Sequence, residues 1–485
     1  MALFLQSACI RSRTVLFTAF RSTRRLRPDR CMSTQTAARA VVVPTHMATV
    51  SSAGPAAPPE LSQLQLNSAT LTQLQRQIQR LGDGPSSPRD AFYVVDTAAI
   101  EDRFNLWREY LPNVRPYYAV KCNPDLALIE SLARLGAGFD CASQTEIRSV
   151  LGTGVAARDI IYANPCKQGS QIAYARSQGV DVMTFDSLDE LVKIQVISPH
   201  AKLVLRLYVD DSDSICRLGT KFGAMIHDVP DLLNQAKMLN LDVVGVSFHV
   251  GSGCFNVEAY ANAVARARKV FDIGHAHGLN FELLDIGGGF PGTENGPIRF
   301  EDCARELKKS LARHFPRDSG VRVISEPGRF FAASTHTLAV NVVGRKVAPA
   351  LDVPGQPPVL VSAASAGADQ APNYMYFVND GLYASFNCMV YDHPSIQPVI
   401  MSDAASLEAT PMYKASLWGP TCDGMDCIMK EVELPLMDVG QWIVFPSMGA
   451  YTCAAGSDFN GFQRPQKIYF DSHCVVDDQQ QQFVY

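Results

Sequence analysis

A chain of 485 residues exceeds the roughly 250–300 residues at which a single hydrophobic core stops growing, so at least two domains are expected. With 47% apolar and 19% charged residues and a net charge of -5, it reads as an ordinary globular protein without the basic surplus that nucleic-acid binding needs. No apolar run reaches bilayer-spanning length, so neither nucleic acid nor a membrane is an expected partner.

Residues 1–60 stand apart. Eight arginines (Arg11, Arg13, Arg21, Arg24, Arg25, Arg27, Arg30 and Arg39) face one acid, Asp29, in the first forty positions. This is either a mitochondrial presequence or an extension ahead of a true start at Met32 or Met47, and residues 41–60 read as linker. The first alternative implies a mitochondrial location and the second a cytoplasmic one. Residues 61–95 form a segment with a helical Leu71, Leu74, Ile78, Leu81 spacing, expected to pack on the C-terminal domain.

From residue 96 to 335, short β-branched or aromatic runs alternate with amphipathic stretches, as in parallel strands joined by helical crossovers. The eight runs are Tyr117–Lys121, Gly138–Ser143, Ile160–Pro165, Val182–Asp186, Lys202–Leu207, Val243–Val250, Leu283–Phe290 and Arg322–Arg329. Leu126, Ile129, Leu132 and Leu135 mark one intervening helix face, and Val264, Ala267, Val270, Phe271 and His275 another. Eight such units predict an α/β fold with a closed (β/α)8, TIM-like barrel. After residue 336 the rhythm changes to a mostly β domain reaching 485, with strands at Thr337–Val343, Val359–Val361, Tyr374–Val378 and Lys467–Tyr469 and a loose loop over Ala348–Pro372. Thirteen cysteines, scattered in apolar surroundings, suggest reduced thiols in a reducing compartment; Cys422 and Cys427 lack the companions a metal site needs, so no metal is expected.

In such a barrel, side chains at the C-terminal strand ends converge on one mouth. Lys121 closes the run Tyr-Tyr-Ala-Val; there, partial desolvation would lower its pKa toward a value suited to imine chemistry, or it would simply reach solvent. Gly287-Gly288-Gly289 follows an apolar strand and can bring backbone N–H groups close to a phosphate, with Gly251-Ser252-Gly253 and Glu326-Pro327-Gly328-Arg329 adding a hydroxyl and further donors. Glu326, behind an aliphatic run, needs a cation: a protonated pyridine nitrogen, or Arg329 or Arg206 in a structural ion pair. His249 could stack on a ring or be a hydrogen-bonded core residue, and Asp140 reads as a satisfied carboxylate holding His249 or Arg206. In the second domain, Cys422 and Asp423 join a thiol and an acid in a turn suited to proton delivery, or equally to an inert thiol beside a turn former.

The motifs Pro-Tyr-Tyr-Ala-Val-Lys-Cys-Asn, Phe-Asp-Cys-Ala-Ser, Ser-Phe-His-Val-Gly-Ser-Gly, Asp-Ile-Gly-Gly-Gly-Phe-Pro, Glu-Pro-Gly-Arg, Tyr-Asp-His, Trp-Gly-Pro-Thr-Cys-Asp and Phe-Asn-Gly-Phe occur in order between about Asp90 and Phe470. In this the chain resembles the eukaryotic ornithine decarboxylases, within the alanine-racemase-like fold of pyridoxal-phosphate enzymes. The resemblance implies decarboxylation of L-ornithine to putrescine and carbon dioxide, the entry to polyamine biosynthesis, with pyridoxal 5'-phosphate as cofactor. It implies that Lys121 binds the cofactor's aldehyde, Glu326 its ring nitrogen and His249 its face. Asp140 and Arg206 would line that site, and Ser252, Gly287, Gly288, Gly289, Gly328, Arg329 and Tyr451 would hold the phosphate. Tyr391, Asp392, Asp423 and Phe459 would bind substrate, and Cys422 would return a proton to carbon. Asp392, Asp423 and Cys422 would reach the partner's cofactor in a homodimer with shared sites. Asn164–Glu190 resembles the antizyme-binding stretch of the family, so antizyme is a further expected partner. A catalytically dead regulator-binding homologue and a lysine decarboxylase or racemase are the competing readings; relatives of the first kind lose cofactor contacts that are present here.

Overall fold

The computed structural model describes residues 66–82, 87–294, 296–348, 373–401 and 411–474. The arginine-rich start, the 41–60 linker, Val359–Val361 and nearly all of the Ala348–Pro372 loop lie outside them.

In chain order the strands are β1 (Phe92–Asp96), β2 (Val114–Ala119), β3 (Gly138–Cys141), β4 (Ile160–Tyr162), β5 (Val182–Phe185), β6 (Lys202–Arg206), β7 (Ser214–Cys216), β8 (Asp242–Ser247), β9 (Ser252–Cys254), β10 (Leu283–Asp285), β11 (Arg322–Ser325), β12 (His336–Val347), β13 (Tyr374–Val378), β14 (Val399–Ile400), β15 (Met412–Trp418), β16 (Cys427–Pro435), β17 (Trp442–Phe445) and β18 (Gln466–Phe470). Strands β2, β3, β4, β5, β6, β8, β10 and β11 close into a parallel barrel. Its lumen is filled by Tyr117, Ile161, Val204, Val244, Leu283 and Ile324, so it is a packed core. The predicted eight-unit barrel is therefore present.

The helices cover the barrel with their apolar faces. Helix Leu126–Leu135 starts at Asp125, whose carboxylate accepts the Ala127 N–H, and stops at Gly136, whose φ of +91° only glycine adopts cheaply. Its buried face is Leu128, Ile129, Ser131 and Leu132, while Leu126 is 55% exposed, so the strict three-residue step expected from the sequence drifts off the true 3.6-residue face. His275 is likewise exposed, and Gly274 takes its place on the buried face of helix Val257–Ala276. No helix among the described residues is long and apolar enough to cross a membrane.

The second sheet runs β14-β17-β12-β13-β15-β16, and β1 joins it by pairing antiparallel with β12 and parallel with β18. Helix Ser68–Leu81 places Leu74, Ile78 and Leu81 against Phe92, Val94, Trp442 and Val444 of that sheet. A two-stranded ribbon, β7 with β9, stands beside the barrel mouth and carries Ser252.

Candidate active site

The chemistry gathers just beyond the strand ends. β2 ends at Ala119, and the next turn, Val120–Cys122, holds Lys121. The Lys121 ammonium is ion-paired with Asp140 at the end of neighbouring β3. Asp140 therefore holds Lys121, rather than His249 or Arg206 as expected. Its other oxygen, Oδ1, is buried without a hydrogen-bond partner. Burial acts on Lys121 in the expected downward direction, but the Asp140 and Glu326 carboxylates and Tyr451 outweigh it, so its pKa is raised rather than lowered.

Glu326 follows β11 and is 3% exposed, with Oε1 lacking a hydrogen-bond partner. Burial raises its pKa well above the usual carboxylate range, and the nearby Asp285 and Asp140 add to this. Asp285, closing β10, is pushed up to about 6, mainly by burial. Neither alternative ion pair for Glu326 is formed: Arg329 is engaged by Asp392, and no ion pair to Arg206 occurs among the described residues. The two acids form a pair in which one proton is held. Asp285 escaped the sequence reading, although an acid ending the apolar strand Leu-Leu-Asp is the same signal that singled out Glu326.

Gly287 (φ +64°) and Gly289 (φ +101°) adopt left-handed conformations, and a Cβ at Gly288 would stand 2.5 Å from the Glu326 carbonyl oxygen and 3.1 Å from His249 Nε2. Only glycines fit this cradle. The Gly251 N–H donates to His249 Nδ1 at 3.0 Å, which leaves the proton of the neutral ring on Nε2. Burial, then Arg206 and Lys121, hold the His249 pKa well below its ordinary value. A Cβ at Gly328 would meet Cys122 Cβ at 2.8 Å.

Arg329 donates to Ser252 Oγ at 3.1 Å, lies with its guanidinium 5.1 Å from the Tyr451 ring centre and is ion-paired with Asp392. Tyr451 has φ +57°, and its N–H donates to the Cys122 carbonyl at 2.9 Å, tying the second domain to the lysine turn. Asp392 thus belongs to this chain's own site, a correction to its expected place in the partner's. Tyr391 is 68% exposed, and its carbonyl accepts from Cys216 Sγ at 3.5 Å.

Cys422, Asp423 and Phe459 form a second cluster on the β domain. The Cys422 N–H donates to Asn460 Oδ1 at 3.1 Å, Asp423 accepts from the Tyr383 hydroxyl, and Phe459 stacks on Tyr383 at 4.4 Å. Among the described residues no hydrogen bond or ion pair joins this cluster to Lys121, Glu326 or Arg329. Tyr383 and Asn460 were not singled out in the sequence, since nothing local sets them apart.

Residues 97–333 match the family described as pyridoxal-dependent decarboxylase, pyridoxal binding domain. The ornithine decarboxylase of Mus musculus is 50% identical over 389 residues, covering 79% of this chain and 81% of the relative. Antizyme inhibitor 2 of Xenopus laevis is 48% identical over 382 residues, covering 79% and 81%. Among solved structures, the arginine decarboxylase of Paramecium bursaria Chlorella virus superposes with a TM-score of 0.74 at 33% identity, covering 82% of this chain and 100% of that one. With a barrel mouth built from an amine, an acid pair and a glycine cradle, the chain belongs to the pyridoxal-dependent decarboxylase family that includes the ornithine decarboxylases.

Proposed function

We infer that the chain is a pyridoxal-phosphate-dependent decarboxylase of L-ornithine, releasing carbon dioxide and putrescine, the step that opens polyamine biosynthesis. The observation that carries this reading is the meeting of Lys121 with the Glu326–Asp285 pair at one mouth, from stretches of chain two hundred residues apart. The residues fit the cofactor: Lys121 offers an amine, Glu326 an orphaned buried oxygen, Gly287 to Gly289 a cradle that any Cβ would fill, and Arg329 with Ser252 an anion clamp.

When bound, the cofactor supplies an electron-withdrawing ring that takes up the electron pair left as carbon dioxide departs. Glu326 would hold a proton at the ring nitrogen, and the neutral His249 would pack on the ring face without competing for that proton. Arg329, Ser252 and Tyr451 would bind phosphate, and Asp392 would attract the distal ammonium of the substrate. Two carboxylates near that ammonium, Asp392 and Asp423, select a diamino acid over a neutral one; the one methylene between ornithine and lysine is worth only about 1–3 kcal/mol, so lysine is an expected side substrate.

Cys422, Asp423 and Phe459, which no hydrogen bond or ion pair among the described residues joins to Lys121, Glu326 or Arg329, are best used by a second copy of the chain in a homodimer with shared sites, where Cys422 would protonate carbon. The cytoplasm is the proposed location, or mitochondria if the arginine-rich start is used, and Asn164–Glu190 is the proposed antizyme contact.

The 48% identity to an antizyme inhibitor favours one alternative, a regulator-binding protein without turnover. Carbon dioxide release from ornithine, with Lys121→Ala as control, separates the two: a purified chain without visible cofactor absorbance or turnover refutes the enzyme. Mixing Lys121→Ala with Cys422→Ala tests the sharing. Random exchange makes half the dimers mixed with one intact site of two, so about a quarter of parental activity should return. No recovery refutes shared sites.

A further inference from the structure

We propose that Asn123, Thr335 and His336 are positioning residues: a buried polar chain that fixes the Lys121 turn, the Arg329 helix and the Tyr451 loop relative to one another and so presets the cofactor site. The proposal rests on the cofactor reading above.

The hydrogen bonds run in one direction. Thr335 Oγ1 donates to the Ala332 carbonyl at 2.7 Å, inside the short helix Arg329–Ala332. The same oxygen lies 2.7 Å from His336 Nδ1, and with its proton already given to Ala332 it accepts there, which places the ring proton on Nδ1. His336 Nε2 is then a bare acceptor, 3.3 Å from Asn123 Nδ2. The other proton of that amide goes to the Gly449 carbonyl at 2.9 Å, two residues before Tyr451. Asn123 Oδ1 accepts the Asp125 N–H at 3.1 Å and the Cys453 thiol at 3.5 Å. Exchanging the amide's oxygen and nitrogen would set oxygen against the Gly449 carbonyl, so its orientation is fixed.

Asn123 is two residues from Lys121, and both Asn123 and His336 are fully buried. Backbone bonds knit the same three segments: Met448 N–H to the His336 carbonyl at 2.8 Å, Gly449 N–H to Ala333 at 3.1 Å and Tyr451 N–H to Cys122 at 2.9 Å. A Cβ at Gly449 would fall 1.8 Å from the Ala332 oxygen, so the segments touch with no space for adjustment. Burial, reinforced by Lys467, pulls the His336 pKa down to about 3, which keeps the ring neutral and the chain's direction constant. A buried donor or acceptor left unmatched is costly, so each member enforces the orientation of the next.

The test uses the full-length protein with Asn123→Ala, His336→Leu, His336→Gln and Thr335→Val. It reads the dissociation constant of pyridoxal 5'-phosphate by visible absorbance, kcat and KM for ornithine, and the melting temperature of cofactor-stripped protein. Asn123→Ala and His336→Leu should weaken cofactor binding about tenfold or more and lower kcat, with KM within about twofold. Glutamine, whose amide oxygen can take the Asn123 proton, should restore most of the loss. Cofactor binding unchanged from the parent, whatever the melting temperature does, overturns the proposal, as does a glutamine variant no better than leucine. If Asn123→Ala does not fold, Thr335→Val, which removes one hydroxyl at nearly constant volume, decides by the same readouts. A parent protein that takes up no cofactor overturns the cofactor reading instead.

Discussion

Glu326→Gln should act in opposite directions with and without the cofactor. The Glu326 carboxyl is buried, lacks a hydrogen-bond partner at Oε1 and lies against Asp285, which is also buried. Burial raises both pKa values; Asp285 pushes Glu326 further up, while the hydrogen bond from Glu326 works against the rise of Asp285, which reaches about 6. The native chain therefore retains protons that the unfolded chain has released, and the pair costs stability as pH rises from near 4 through about 6 and beyond. Glutamine removes one titration and keeps an N–H donor toward Asp285 in place of the held proton, so the cost of retaining that proton at neutral pH disappears. Cofactor-stripped protein near neutral pH should melt a few degrees higher. Loaded protein instead loses the anionic partner of the ring nitrogen; breaking such a buried pair costs about 3–5 kcal/mol, or roughly 10²–10⁴ in turnover. Thermal melts of the stripped variant and carbon dioxide release at saturating cofactor measure the two effects. Turnover within about fivefold of the parent would detach Glu326 from the ring nitrogen. A stripped variant that melts lower would refute the acid pair.

Three further outcomes follow from the same geometry. Asp140→Asn removes the strongest influence raising the Lys121 pKa, so more free amine is present at a given pH, and the midpoint of cofactor capture by stripped protein should move to lower pH; an unmoved or higher midpoint counts against the pair. Asp392→Asn should raise KM for ornithine about 10-fold or more, while cofactor binding stays equal or tightens because Arg329 no longer divides its charge; weaker cofactor binding in a titration would contradict this. Gly288→Ala forces a Cβ to within 2.5 Å of the Glu326 carbonyl and 3.1 Å of His249. Such overpacking costs about 1–3 kcal/mol, so both melting temperature and cofactor affinity should fall, and a variant matching the parent in both would show that the cradle yields.

The barrel was legible because a parallel strand buried on both faces leaves a continuous apolar run. Each of the eight runs was found, yet most ran past the C-terminal strand end, as in Val243–Val250 against the observed Asp242–Ser247. The overrun holds the candidate site residues: Lys121, His249, Gly287 and Glu326 all lie in it. The second sheet was less legible. β15 and β16 mix lysine and glutamate into their exposed faces, and β1 joins β12 and β18 from hundreds of residues away, a pairing no local pattern encodes. For the same reason the sequence pointed to Asp140 but not to its partner. The predicted barrel sets β2 beside β3, but neither spacing nor strand order shows that the Lys121 and Asp140 side chains turn toward one another.

What the site adds to the motifs is compensation. A buried charge is tolerated only with a partner, and three charged groups at the mouth have one supplied by a different segment: Asp140 for Lys121, Asp392 for Arg329, Asp285 for Glu326. Two of these pairs join opposite charges, and the third joins like charges, where a held proton replaces the missing cation. That third pair alone is improved by a positive partner from outside, which is the physical ground for proposing Glu326 as the partner of a protonated ring nitrogen. Lys121 and Arg329, by contrast, must exchange an existing carboxylate for a ligand group. The mouth therefore favours a molecule that brings an aldehyde, a phosphate and a ring cation together, since binding any one alone forfeits part of what the internal pairs already provide.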